Sequence, residues 1–191
     1  EIFVFSPMGD LYSLSKGSTA LDFAFHVHTE IGLHTRGTRV NGKLVPLSKK
    51  LKSGDQVEII TSDKAKPNSN WLDYAVSGRA LSKIKSSLKE EEKLIAKEGK
   101  VILGRKLKSL KIPFDENTVN QLVSYFKINT SLDLFYRVGV GIIDNKRLKE
   151  FVASRNNAFV SFFKNRLRKN TKPEEIDKDE ITTKYDQLVF G

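Results

Sequence analysis

Thr38-Arg39-Val40-Asn41-Gly42-Lys43-Leu44-Val45 decides how the first third of the chain is read. Asn-Gly stands between two strand-like runs, and both residues tolerate the positive φ of a two-residue type I′ turn. The eight residues predict a β-hairpin. Downstream, Leu51 to Asp55 carries turn chemistry and Gln56-Val57-Glu58-Ile59-Ile60-Thr61 reads as a strand. Upstream, Thr19-Ala20-Leu21-Asp22 puts a hydroxyl at an N-cap and a carboxylate three residues on, the pattern of a capping box. A helix is expected over about Ala20 to Thr29, with Leu21, Phe25 and His28 on one face and Gly32 as its stop. Ile2 to Phe5 and Leu11 to Leu14 form a further hairpin around Pro7-Met8-Gly9-Asp10. Five strands around one helix make an α+β roll.

Ser62 to Ser69 is polar and contains Pro67, so it marks a boundary. The apolar period then becomes helical: Leu81, Ile84, Leu88, Ile95 and Ile102 predict one long helix to about Leu110, broken near Gly99 or Gly104 and stopped by Pro113. Asp115 and Thr130 or Ser131 are caps for two shorter helices. Asn145 to Ala153 and Phe159 to Leu167 read as two more, and Gln187 to Phe190 as the start of a strand. The expected organisation is a roll over residues 1–63, a linker over 64–70, a helical domain over 71–170 and a charged tail over 171–191 leading towards a further domain.

Charge divides the chain in the same way. Residues 1–63 hold 7 basic and 7 acidic side chains, whereas residues 64–170 hold 23 and 10. A neutral head and a basic middle have different electrostatic tasks, and the basic part attracts polyanions by counterion release. No apolar run is long enough to span a bilayer, and the start of the chain reads as a strand rather than a signal peptide. The chain has no cysteine. This excludes disulfides and thiolate metal sites and fits a reducing cytoplasm, the expected location.

No phosphate-cradling loop, dinucleotide fingerprint or H-E-x-x-H motif is present. His26 and His28 are two residues apart, so on a helix they point about 200° from one another and cannot chelate one metal. No metal, cofactor or catalytic residue is expected. His28, at the end of its helix, can stack on a nucleobase or reach a base edge, the means by which unpaired RNA ends are read. A histidine there can equally serve the helix C-terminus.

Residues 3–60 resemble the TGS domain, a ubiquitin-like β-grasp module, through Phe3 to Asp10, Asp22 to Gly32, Val40 to Leu47 and Gly54 to Ile60. Trp71-Leu72-Asp73-Tyr74-Ala75-Val76-Ser77-Gly78-Arg79-Ala80 resembles the start of the helical domain that comes after it in long RelA/SpoT stringent-response proteins. The resemblance implies an α+β TGS domain followed by an all-α domain. It also implies a non-catalytic regulatory piece of a GTP pyrophosphokinase or (p)ppGpp hydrolase. Such a region senses starvation by gripping the CCA-3′ end of uncharged tRNA on the ribosome. By the match of His-Thr-Glu-Ile-Gly, the histidine that takes part is His28. His34 and Arg36 come next, although Gly32-Leu33-His34-Thr35 departs from the family's usual Gly-His-Arg-Cys. Arg79, Lys83 and Lys85 are the expected phosphate neutralisers, and Trp71 a packing anchor between the domains. The alternatives are docking of acyl carrier protein, as in SpoT-like members, and a spacer that relays conformational change.

Overall fold

The computed structural model describes residues 1–170. β1 (Ile2–Phe5) and β2 (Leu11–Leu14) pair antiparallel, Ile2 opposite Leu14 and Phe5 opposite Leu11. β3 (Thr35–Val40) lies between β4 (Lys43–Val45) and β5 (Val57–Thr61), antiparallel to both. A parallel bridge from Phe5 to Gln56 links the two sheets, which sets the lateral order β2-β1-β5-β3-β4. Asn41 (φ 52°) and Gly42 (φ 80°) both take positive φ, as the hairpin turn requires. The inward residues Val4, Leu14, Val40 and Val57 close over Phe23 of α1 (Ala20–Val27). The five expected strands are present, and the β-grasp roll is formed.

The single helix expected over Ala20 to Thr29 is two. His28 is extended (φ −164°, ψ 144°), and α2 (Thr29–Leu33) begins after it. Gly32 does not stop a helix; it lies inside α2. A Cβ at Gly32 would overlap the Phe25 ring, so glycine is what lets α2 rest on the core. Helical spacing alone could not show this, because His28 keeps the period of Leu21 and Phe25 although its backbone is extended.

Asp22 joins the roll to the helices after it. Its carboxylate accepts from the Thr19 N–H at 2.9 Å, and the Thr19 hydroxyl accepts from the Asp22 N–H, completing the capping box. The same carboxylate is buried and also accepts from the Val76 N–H at 3.0 Å and the Ser77 N–H at 2.9 Å. Those amides lie between α3 (Trp71–Tyr74) and α4 (Gly78–Ser109). Ser77 then caps α4 through the Ala80 N–H. Around this polar knot pack Leu21, Phe25, Trp71, Ala75, Ala80 and Ile84. Trp71 is thus the anchor expected of it. The polar segment before it is also docked: Pro67 is buried and Lys66 pairs with Glu91 at 3.6 Å.

α4 runs unbroken for 32 residues, through both Gly99 and Gly104. α5 (Glu116–Tyr125), α6 (Ser131–Gly139) and α7 (Asn145–Asn170) complete the helical part. Gly99 is a contact, not a break. A Cβ there would run into the Phe135 carbonyl oxygen, and one at Gly139 would come within 2.6 Å of the Ile95 carbonyl oxygen. The two glycines let the α4 and α6 backbones touch. α4 ends before Pro113 by its own hydrogen bonds. Lys111 takes φ 58° and the Ile112 N–H donates to the Leu107 carbonyl; Lys127 (φ 54°) and Ile128 repeat the motif after α5. The buried Ile112 and Ile128 then enter a core with Leu103, Leu122, Leu134 and Leu148. Asp115 and Thr130 cap α5 and α6 as their sequence indicates.

The two helices expected over Asn145 to Ala153 and Phe159 to Leu167 are one, α7, which runs through the residues between them. The tail and strand expected over 171–191 lie outside the described residues. Among the described residues no helix is long and apolar enough to cross a membrane.

Three measurements test this architecture. Gly99→Ala should lower stability by about 1–3 kcal/mol or more through overpacking. Gly104→Ala should raise it by about 0.5–1 kcal/mol, since its Cβ meets only the Phe114 ring at 3.5 Å; urea unfolding compares the two. Asp22→Ala should cost about 3 kcal/mol by orphaning buried amides, with faster hydrogen exchange at Val76 and Ser77. Unchanged exchange there would remove the clamp. Backbone hydrogen bonds from Thr118 to Asp115 and from Arg147 to Asp144 hold both carboxyls below the usual range. A depressed carboxyl stabilises fully above its unfolded pKa, and that contribution is lost as pH falls through the folded one. Asp115→Asn and Asp144→Asn should therefore flatten the loss of stability in acid.

Candidate nucleic-acid interface

His28 occupies a seam between two helices. Its backbone N–H closes α1 on the Ala24 carbonyl, and its side chain opens α2. Nδ1 accepts from the Glu30 N–H at 3.1 Å. In a neutral imidazole with Nδ1 as acceptor, the proton sits on Nε2. The residue is exposed, in a break between two helices at the surface, so Nε2–H and the ring remain available to an outside group. The Phe25–Gly32 contact fixes this seam against the core.

The other expected residues separate into distinct environments. His34, half-buried at the end of α2, lies with Nδ1 3.2 Å from the Ala65 carbonyl oxygen and Nε2 3.5 Å from a Glu30 carboxylate oxygen. A carbonyl can only accept, so Nδ1 is the donor, and His34 ties α2 to the segment after β5. Arg36 is exposed on β3. It shares the outer face with Arg39, although residues three apart on a regular strand face opposite ways. A bulge between Thr35 and Gly37 shifts the register and brings them to one side. Arg39 pairs with Glu58 at 3.4 Å.

Arg79 and Lys83 are about one helical turn apart on α4, both exposed. Lys85 is also exposed but lies about 200° around the helix from Lys83, on the other side of buried Ile84. The three therefore do not form one phosphate-facing row. Arg79 shares a small cavity of about 180 Å³ with His26, Ser18 and Ser77, beside Asp22. In the sequence His26 stands out only as a metal candidate, and nothing in the linear order pairs it with a residue so far along the chain. Among the described residues no group of three or more His, Cys, Asp or Glu side chains converges to hold a metal ion.

Residues 2–61 match the TGS domain family. The chain is 40% identical over 153 residues to guanosine-3′,5′-bis(diphosphate) 3′-pyrophosphohydrolase from Aquifex aeolicus, covering 80% of this chain and 22% of that protein. It is 36% identical over 139 residues to GTP pyrophosphokinase from Myxococcus xanthus, covering 72% and 18%. It is 38% identical over 150 residues to the bifunctional (p)ppGpp synthase/hydrolase SpoT of Escherichia coli, covering 74% and 20%. The chain thus spans about a fifth of the length of these relatives. Each alignment extends beyond the roll into the helical part. With its β-grasp head docked on a long helix through Asp22 and Trp71, the chain belongs to the RelA/SpoT family as a fragment carrying a TGS domain.

Proposed function

We propose that the chain is the non-catalytic regulatory region of a cytoplasmic enzyme that makes or hydrolyses (p)ppGpp, and that it senses starvation by binding the CCA-3′ end of uncharged tRNA on the ribosome. The observation that carries this reading is His28. Its Nδ1 is committed to a helix cap, which leaves Nε2–H for a partner. A base edge or phosphate oxygen accepts that proton, while the ring face stacks on an unpaired base. Discrimination against charged tRNA results if the site closes on the terminal ribose, leaving no room for an esterified amino acid. Arg36, Arg79, Lys83 and Lys85 would neutralise phosphates around it. A second reading, docking of the small acidic acyl carrier protein, is favoured by the 23 basic against 10 acidic side chains of residues 64–170.

The cap separates folding from recognition. An Asn side chain can replace the Nδ1 acceptor at an N-cap, whereas Ala cannot. His28→Asn should keep the melting temperature and lose tRNA affinity. His28→Ala should lose affinity and also about 1 kcal/mol of stability. Titration with uncharged and aminoacylated forms of one tRNA should show the uncharged form bound more tightly. Equal affinities would sink the sensor reading, and saturable binding of acyl carrier protein alone would favour the second.

A further inference from the structure

The apolar side of α7 outruns the helices that cover it. Leu148, Phe151 and Val152 pack into the helical core. The same side continues, in steps of three and four residues, through Arg155 to Phe159, Phe162 and Phe163. These three rings are 64%, 61% and 48% exposed. They also meet one another: the centroids of Phe159 and Phe163 are 4.8 Å apart and those of Phe162 and Phe163 6.4 Å. Where the covered and uncovered parts join, an open groove of about 630 Å³ runs between α5 and α7, lined by Tyr125, Phe151, Arg155 and Ala158 among others. Tyr125, 41% exposed, rests edge-on against Phe151 there at 5.3 Å. Ala158 stands one turn before Phe162, so groove and rings form one strip. A clustered aromatic surface of this kind marks a contact with something else.

Charge decides between occupants. Residues 155–170 hold Arg155, Lys164, Arg166, Arg168 and Lys169 and no acid. A second copy packed face to face would set these cations against their own kind. A lipid surface would have to take Arg155 and Arg166, which stand four residues before Phe159 and seven after it, on the apolar side itself and not at its rim. An acidic protein segment with apolar side chains meets both demands, and one is covalently attached. Residues 171–191 hold six acids and three bases and carry the run Leu188-Val189-Phe190. Pro173 lacks the N–H that would bond the Lys169 carbonyl, so the sequence disfavours a straight continuation of α7. Residues 171–187 can span up to roughly 55 Å, against about 17 Å along α7 from Asn170 back to Phe159.

We propose that this strip is the dock for the chain's own residues 171–191, with Leu188, Val189 and Phe190 seated against Phe159, Phe162 and the Tyr125 groove and the acids facing the cations of α7. The tether makes the contact intramolecular. A short linker holds the segment at a local concentration in the millimolar range, so burial of three apolar side chains holds it in place without a tight intrinsic affinity. The strip is built on the α5–α7 core and stands whatever His28 binds.

The test places a nitroxide on Gly191→Cys in the full chain, which has no cysteine of its own. The amide signals of Tyr125 and Phe159 should broaden, while that of Val40 in the roll stays sharp. Adding Leu188→Asp and Phe190→Asp should reduce the relaxation enhancement at Tyr125 and Phe159 about fivefold or more and speed hydrogen exchange over residues 159–163 about tenfold. Adding Thr182→Asp and Thr183→Asp instead makes the same charge change without removing apolar side chains, and should leave both readouts within about twofold. Circular dichroism checks that all variants are folded. No enhancement at Phe159 in the parent, or equal enhancement in the two variants, would overturn the proposal. So would enhancement that appears only between isotope-labelled and nitroxide-labelled chains in a mixture, which assigns the strip to a second copy. Saturable binding to phosphatidylserine vesicles that is lost with Phe159→Ser and Phe162→Ser would overturn it too, by assigning the strip to a lipid surface.

Discussion

The Asp22 carboxylate closes two structures at once. Within the roll it completes the capping box that starts α1. Between the two parts of the chain it receives the Val76 and Ser77 amides, so α4 begins where α1 begins. An ionised acceptor is well suited to this, because several donors can share its two oxygens and charge-assisted hydrogen bonds are the stronger kind. The cost of burying the carboxylate is offset only while all of these donors are in place. The apolar contacts around it, Leu21 and Phe25 against Trp71 and Ile84, supply area; the carboxylate supplies register.

Glycine has the complementary role of setting distance. At Gly32 the missing Cβ admits the Phe25 ring, and this seats the helix that His28 caps. At Gly99 and Gly139 it lets two helices meet backbone to backbone. Propensity treats each as a weak point, yet at these positions it is the lack of a side chain that permits the packing.

The same division between local and distant contacts explains what was legible in the sequence. The strands, the Asn41-Gly42 turn, the Thr19 capping box and the Asp115 and Thr130 caps are local chemistry, read within four or five residues. The α1–α2 break was hidden because His28 fits the helical period of Leu21 and Phe25, and only the fold shows its ring turned to cap α2. The break expected near Gly99 or Gly104 is absent because a helix packed along its length tolerates glycine where an isolated one does not. Of the candidate site, the sequence identified His28 as a side chain at a helix end. It could not show that His34 is tied to Ala65, that a bulge aligns Arg36 with Arg39, or that Lys85 faces away from Arg79 and Lys83.

The unbroken course of α4 has a mechanical consequence. At 1.5 Å per residue its 32 residues form a rod about 48 Å long. One end is clamped to the roll through Asp22 and Trp71, and the segment over 64–70 is fastened to its flank at Glu91. Such a rod is a lever. A tilt of about five degrees at the clamped end would sweep the opposite end through about 4 Å, about three-quarters of a helical turn, so a small adjustment beside His28 becomes a displacement large enough to make or break a packed contact at the distal helices.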